Sequence, residues 1–465
     1  MPPIPSAIKM STPNKKRKLA PFPTQSSRHV LLPFDLRNQS LDILDDNEIR
    51  ALLFGIFPGT TQVSEGRFRS YLSFTVNELP KEPWPLTVGG LPITINTKTE
   101  GRGPLSPIGR LVWGRPAISV CQQWDGRSGP ISGNELRSIA AELHREIRAR
   151  RPDVRLVEVM FPCDRYFCLV LGNETDINAV RANLPGKIAK LPAAYINDGQ
   201  LNRPRWTQRR ERQNMEPEPE PEPSRGIEDD TPYNVLRPGV MLRSTKSRTD
   251  AHPAELRSTS GVMVKNASGH CFMTAASHGI GQDETVFQSH PGGNQKRVLG
   301  KAIHRISLTD VAIVRLNDDI PFENELFQAD QGGSTRVTRL LGENQGDSQH
   351  VGSLVVLNSP FTGKLEGCVA MLSVKIERSE QLPVQQAKEE EDEVRYISYT
   401  WIYTGQAEGA ANPIIPADGT CGSVILDEGN RAVGFFQYHI NQGLFAGMCA
   451  SVSADEVVRA GYRLA

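Results

Sequence analysis

The sequence predicts a multidomain chain, with an all-β domain at the C-terminal end and an α/β domain before it. Three observations lead there. From residue 233 onward, short apolar runs recur between Gly, Asn and Asp turns, the even spacing of a barrel or sandwich. Residues 115–198 instead alternate strand-like runs with amphipathic helical runs. Between the two lies Glu216-Pro-Glu-Pro-Glu-Pro-Glu-Pro223, which cannot build a core and favours an extended polyproline II rod.

At 465 residues the chain is long enough for two or three domains. Charged residues make up 23% and the formal net charge is zero, so nucleic-acid binding driven by whole-chain charge is not expected. No apolar run approaches the ~20 residues of a membrane span, and the first residues, Met1-Pro-Pro-Ile-Pro-Ser6, lack the plan of a signal peptide. Seven cysteines, at 121, 163, 168, 271, 368, 421 and 449, form an odd, scattered set without a CxxC pair. Neither a zinc cage nor a disulfide framework is signalled. The expectation is free thiols in a reducing, intracellular compartment, with no metal and no cofactor. Nothing bears on oligomeric state.

Residues 1–30 read as a disordered arm carrying the basic cluster Asn14-Lys-Lys-Arg-Lys18. Such a cluster is either a nuclear import signal or a solvated charge run, so residence is cytoplasmic or nuclear. Residues 31–206 read as an α+β module. Leu41 to Phe54 has helical spacing, and Ser70 to Val76 and Leu91 to Ile95 alternate like strands. Ala117 to Gln122 reads as a strand, and Ser132 with Glu135 is a capping-box signature. Leu136, Ile139, Ala140, Leu143 and Ile147 then share one helical face. Val154 to Phe161 and Phe167 to Leu171 read as strands, Glu174 to Asn183 as a helix ended by Pro185-Gly186, and Ile188 to Tyr195 as a last strand. The order βαββαβ over 115–198 matches the split ferredoxin-like plan. An RNA-binding version would carry aromatics on its central strands. Phe161, Tyr166 and Phe167 flank them without an RNP-like motif, and a structural or protein-binding role fits better.

Residues 207–232 form the Glu-Pro linker, and 233–465 the β domain. Its expected strands include Gly261 to Val264, Cys271 to Ala275, Arg297 to Ile303, Val311 to Leu316, Leu354 to Leu357, Cys368 to Ile376 and Arg395 to Tyr403, then two around Cys421. A helix from about Ser453 to Tyr462 closes the chain, with Ser453 or Asp455 near its cap. The run 386–393 is a like-charge loop.

The chemistry centres on Gly419-Thr-Cys-Gly-Ser423. Flanking glycines allow a tight turn, and such a turn can aim backbone N–H groups at a developing oxyanion. A thiol needs a base to attack at neutral pH. Taken alone, Cys421 reads as a buried thiol in a β-turn. A base candidate, His278, ends the run Cys271-Phe-Met-Thr-Ala-Ala-Ser-His278, and an acid candidate, Asp310, heads the apolar strand Val311 to Leu316. His270 and His304 compete as histidines and Ser423 as nucleophile. The first reads as a turn residue, the second as structural, and Ser423 lies two residues past the thiol.

These segments resemble the chymotrypsin-like (trypsin-fold) peptidases. Thr274-Ala-Ala-Ser-His278 is similar to the family's TAAH segment with Ser277 interposed. Asp310-Val-Ala-Ile-Val-Arg-Leu316 is similar to its DIALVRL-like strand, and Gly419-Thr-Cys-Gly-Ser423 to its GDSGG turn with cysteine for serine. Ala432-Val-Gly-Phe-Phe436 follows like the strand lining the specificity pocket, and Met448 to Tyr462 fits the terminal strand and helix. Cysteine in the turn resembles the viral chymotrypsin-like cysteine peptidases. The resemblance implies a double β-barrel over 233–465 and an intracellular endopeptidase acting on protein or peptide substrates. It implies Cys421 as nucleophile, His278 as base and Asp310 as its orienting acid, with the N–H groups of Gly419 and Cys421 as oxyanion hole. Phe436, Gln437, Tyr438 and His439 would bound the substrate, and a histidine at His439 could read glutamine side chains or be a plain strand-end residue. The alternative is a catalytically inactive trypsin-fold protein acting as a protein-binding module. Two departures from the family pattern favour it: Ser277 shifts the histidine, and Thr420 replaces the usual aspartate.

Overall fold

The computed structural model describes residues 28–38, 40, 43–81, 84–103, 111–162, 166–204, 229–246, 255–289, 296–326, 335–378, 394–405 and 416–465. The basic cluster 14–18, most of the Glu-Pro linker, Cys163 and the acidic loop 386–393 lie outside them.

The first unit holds strands β1 (His29–Val30), β2 (Thr60–Glu65), β3 (Leu72–Val76), β4 (Thr87–Val88), β5 (Leu91–Asn96) and β6 (Gly101–Arg102), with helix α1 (Asn47–Phe54). They form a sheet in the order β1-β4-β5-β3-β2, with β6 on β5. Helix α1 begins later than the apolar spacing suggests because Asp46 caps it, accepting from the N–H groups of Glu48 and Ile49. A cap of this kind stabilises by about 1 kcal/mol. Ile49 and Leu53 are its buried contacts with the unit's core.

The second unit runs β7 (Val112–Trp113), β8 (Arg115–Val120), α2 (Gly133–Arg150), β9 (Leu156–Pro162), β10 (Phe167–Leu171), α3 (Ile177–Val180), β11 (Pro185–Ile188) and β12 (Leu191–Asn197). The capping box at Ser132 and Glu135 is formed, and the predicted apolar face of α2 is buried. The predicted helix over 174–183 shrinks to one turn, capped by Asp176, followed by a 3-10 turn. The predicted last strand is a hairpin, β11 and β12, joined through Ala189 and Lys190, both at positive φ (46° and 65°). This hairpin alters the sheet. The order is β9-β10-β12-β11-β8, with β8 parallel to β11 and β12 parallel to β10. The first strand of the βαββαβ series is therefore an edge strand, and the hairpin separates it from β10; the interleaved ferredoxin-like arrangement is not what forms.

Among its described residues, the third unit is β apart from a 3-10 turn at Ser277–Gly279 and a closing helix. Its first strands are β13 (Met241–Thr245), β14 (Glu255–Thr259), β15 (Met263–Lys265), β16 (Cys271–Ala276), β17 (Thr285–Ser289), β18 (Lys296–Ile306) and β19 (Val311–Leu316). They pair in the order β14-β13-β17-β18-β19-β16-β15, with β26 (Arg463–Leu464) on β15. The ribbon between β14 and β15 bends back onto β16, where Gly261 N–H donates to Thr274 O and Thr274 N–H to Val262 O, so the pairing runs round a ring. The remaining strands are β20 (Leu354–Ser359), β21 (Gly363–Arg378), β22 (Val394–Tyr403), β23 (Val424–Asp427), β24 (Ala432–His439) and β25 (Met448–Ser453). They pair β20-β23-β24-β25-β22-β21, and β20 also pairs β21, closing a second ring. The closing helix spans Asp455–Arg459, shorter than predicted, because Ser453 ends β25 and Ala454 stands at the cap.

Two packing features position the site. One core lies between the rings, with Val264, Phe272, Ile306 and Val311 from the first against Val424, Leu426, Phe435 and Val452 from the second. The second unit is not separate from the second ring: β9 pairs antiparallel with β21, making one 12-stranded sheet, and α2 shares a core with Val355, Val369 and Phe436.

Candidate active site

Strands β16 and β19 pair antiparallel with Ala276 opposite Val311. The residues just past one strand and just before the other therefore meet, and these are His278 and Asp310. Ser277–Gly279 forms a 3-10 turn directly after β16. Asp310 stands at positive φ (62°) ahead of β19, and its carboxylate accepts from the His278 backbone N–H at 2.9 Å and lies 2.6 Å from His278 Nδ1. The backbone closes the same junction, Ser277 N–H donating to Asp310 O at 2.8 Å. The interposed Ser277 is absorbed here: it is buried, and Arg305 donates to both its carbonyl and its hydroxyl.

Cys421 follows the turn Asp418-Gly419 and is partly exposed. Its thiol donates to Gln437 O on β24, and it also acts on His278 by charge and by hydrogen bonding. Burial is the largest single influence on the His278 imidazole and opposes its charge. The Asp310 carboxylate, Cys421 and the hydrogen bonds to both outweigh it, so the imidazole pKa lies well above its ordinary value.

The turn is held from the first ring. Thr259, at the end of β14 and fully buried, donates its hydroxyl to Gly419 O at 2.7 Å and its N–H to Cys421 O at 2.9 Å. Gly419 stands at φ 89°, and a Cβ there would lie 2.4 Å from the Phe361 ring, so only glycine fits. The N–H groups of Thr420, Gly422 and Ser423 donate to Ala417 O, Phe436 O and Thr420 O. Those of Gly419 and Cys421 donate to nothing among the described residues. Thr420 is buried against Ser359, its hydroxyl 3.3 Å from that of Ser359.

The structure thus brings His278, Asp310 and Cys421 together with the turn's two unengaged donors. The four expected wall residues divide differently. Phe436 and Tyr438 point into cores, and buried Gln437 donates its side-chain amide to Thr309 O. Only His439 is partly exposed; its Nδ1 lies 2.6 Å from Asn441 Oδ1 and its Nε2 is buried without a partner among the described residues. Burial lowers its pKa against the opposing Asn441 bond. A bulge between Phe436 and Tyr438 turns these side chains into separate cores, and β24 runs on past its pairing with β23, which reaches only to Phe435 opposite Val424. The competing groups fall away: His270 and His304 are exposed, and the Ser423 hydroxyl is fully buried. No sequence motif marks Thr259 or Phe361, although both hold the turn. Among the described residues no cluster of three His, Cys, Asp or Glu could hold a metal, and no helix is long and apolar enough to cross a membrane.

A scan against protein-family models finds no match for the chain, and a search among curated proteins finds none. Similar solved structures are chymotrypsin-like (trypsin-fold) serine proteases. Nocardiopsis protease (NAPase) is 18% identical, with 50% of this chain and 98% of that one covered and a TM-score of 0.31. Cellulomonas bogoriensis chymotrypsin is 15% identical over 50% and 99% of the two chains, TM-score 0.29. A glutamic acid-specific serine protease is 15% identical over 50% and 100%, TM-score 0.32.

Proposed function

We propose that the chain is an intracellular endopeptidase on the chymotrypsin-like double-barrel plan, hydrolysing peptide bonds with Cys421 as nucleophile. The observation that carries this reading is the double grip of Asp310 on His278, next to a thiol whose turn keeps two N–H donors unengaged. The Cys421 sulfur attacks the scissile carbonyl, and His278 takes the thiol proton. The carbonyl oxygen, now negative, lies against the N–H groups of Gly419 and Cys421. His278 returns the proton to the leaving amine as the C–N bond breaks, leaving a thioester on Cys421. Water, deprotonated by His278, then releases the acid and restores the thiol. Asp310 holds the imidazole in one tautomer and stabilises its charged form throughout. His439 and the backbone edge of β24 bound the substrate. All six described cysteines are free, which suits a reducing compartment, cytoplasmic or nuclear.

The experiment is hydrolysis of a mixed peptide library by the full chain, beside Cys421→Ala and His278→Ala. The reading expects cleavage by the wild type and none above background by either variant. Cleavage that survives in Cys421→Ala removes that thiol from the mechanism.

A further inference from the structure

The second unit reaches the substrate wall through one buried arginine. Arg203 follows the turn after β12 and is 6% exposed; Glu158, on β9, is 1% exposed. The guanidinium is engaged at all three nitrogens. One amino group donates to Glu158 Oε2, Nε donates to Asp198 Oδ1 at 2.9 Å, and the other amino group reaches the Tyr438 hydroxyl at 3.5 Å. Glu158 is also the residue opposite Lys375 where β9 joins β21. Tyr438 belongs to β24 and packs against Trp401 in a core that includes Met160 and Val170 of the second unit. It stands beside Gln437, whose carbonyl accepts from the Cys421 thiol, and beside His439.

The far end of the same strand is braced from the same place. In the loop after β24, Gly443 (φ 90°) lies so close to Asn202 that a Cβ would come within 2.4 Å of its Nδ2. Residues 202 and 203 therefore touch β24 and its exit loop from behind, while Cys421 meets β24 through the Gln437 carbonyl. A buried arginine with three fixed partners is a rigid brace, because the planar guanidinium sets all three directions at once.

We propose that Arg203 is a positioning residue for the wall strand β24, so that the second unit is part of the peptidase site and not a separable module. As far as turnover is concerned this rests on the peptidase reading; the bracing itself does not.

The test uses the full chain. Tyr438→Phe removes only the hydroxyl at the junction. Arg203→Lys keeps a cation beside Glu158 but loses the planar fork that fixes three separate directions at once. Glu158→Gln combined with Arg203→Met removes the two deeply buried charges together and leaves only the less buried Asp198 without its partner. Amide hydrogen exchange is read at β24, with β16 as internal reference. Each folded variant is expected to exchange at Tyr438, His439 and Ile440 about tenfold faster than wild type, the loss of roughly one hydrogen bond's worth of protection, with β16 unchanged. In turnover, KM is expected to rise by more than kcat falls, and Arg203→Lys to lie nearer wild type than the double variant. Unchanged exchange at β24 in folded Tyr438→Phe and Arg203→Lys overturns the proposal. If the wild-type chain cleaves nothing, the peptidase reading fails, and the exchange comparison still decides the role of Arg203.

Discussion

The carboxylate of Asp310 grips His278 at two points, the backbone N–H at 2.9 Å and ring Nδ1 at 2.6 Å. One oxygen fixes where the histidine sits and the other fixes how its ring is turned. The strand register of Ala276 against Val311 makes both reachable by one short side chain. Asp310→Asn keeps the size but replaces an acceptor by an amide. Peptide hydrolysis is expected to fall by about 10²–10⁴-fold in kcat, with the fold intact.

The same pair sets a pH dependence of stability. Burial is the largest single influence on the folded imidazole and lowers its pKa, but the charges and hydrogen bonds of Asp310 and Cys421 together outweigh it, so the folded pKa is raised. A raised value stabilises the folded chain fully below the unfolded imidazole pKa of about 6.5, and that contribution is lost as pH climbs through the folded value. The thermal midpoint of the wild type should therefore exceed that of Asp310→Asn most below about pH 6.5, the gap closing on the alkaline side. A gap that widens with rising pH would contradict the pairing.

Thiol reactivity separates Cys421 from the other cysteines. Cys121, Cys168, Cys368 and Cys449 are buried, and burial raises the pKa of each thiol, those of Cys121 and Cys368 to about 12. Exposed Cys271 is the fair reference. With iodoacetamide at neutral pH, mapped by mass spectrometry, Cys421 should be modified first, then Cys271, and the four buried thiols last. His278→Ala should bring Cys421 down to the rate of Cys271 or below. Equal rates at Cys421 in the two proteins would remove the imidazole from the account.

The turn that presents the thiol depends on a residue of the other ring. Thr259→Val deletes the hydroxyl that Gly419 O accepts from, which should cost about 1 kcal/mol and reduce kcat as the two N–H donors lose their aim. Thr259→Ser should restore both. Gly419→Ala adds a Cβ 2.4 Å from the Phe361 ring at φ 89°. The strained backbone alone is worth about 1–3 kcal/mol, and a displaced donor costs about 10²–10³-fold in rate. Melting curves and kcat on the same preparations check both.

Much of this site was legible in the sequence, for a local reason. Cys271–Ala276 and Val311–Leu316 are short apolar runs with polar turns at their ends, and His278 and Asp310 stand at those ends. The missed strands, Met241–Thr245, Glu255–Thr259 and Thr285–Ser289, carry Arg, Ser, Thr and Gln among few apolar residues. They form because neighbours in the ring pair with them, and Thr259 became visible only with them. The sequence pattern joins Ile188 to Tyr195 as one strand and makes Pro185-Gly186 a helix stop, because Ala189 and Lys190 take positive φ without glycine or asparagine to announce the turn. Glu158 is a charge in an otherwise apolar run, which by pattern reads as an outward-facing position. Its partner Arg203 lies 45 residues away and its strand neighbour Lys375 is in another unit. Pairings at such separation leave no mark on local periodicity, so the Glu-Pro run suggested a clean division where the sheet is continuous.

The most direct measurement of the central claim is a burst experiment on the full chain with a nitrophenyl ester of an acylated amino acid, the protein weighed and mapped during the burst. With Cys421 as nucleophile, the expected result is a burst of about one equivalent, an acyl group carried as a thioester on Cys421, slow acylation in His278→Ala and no adduct in Cys421→Ala. An adduct that maps to Cys271, or a burst of the same size in Cys421→Ala, would contradict it.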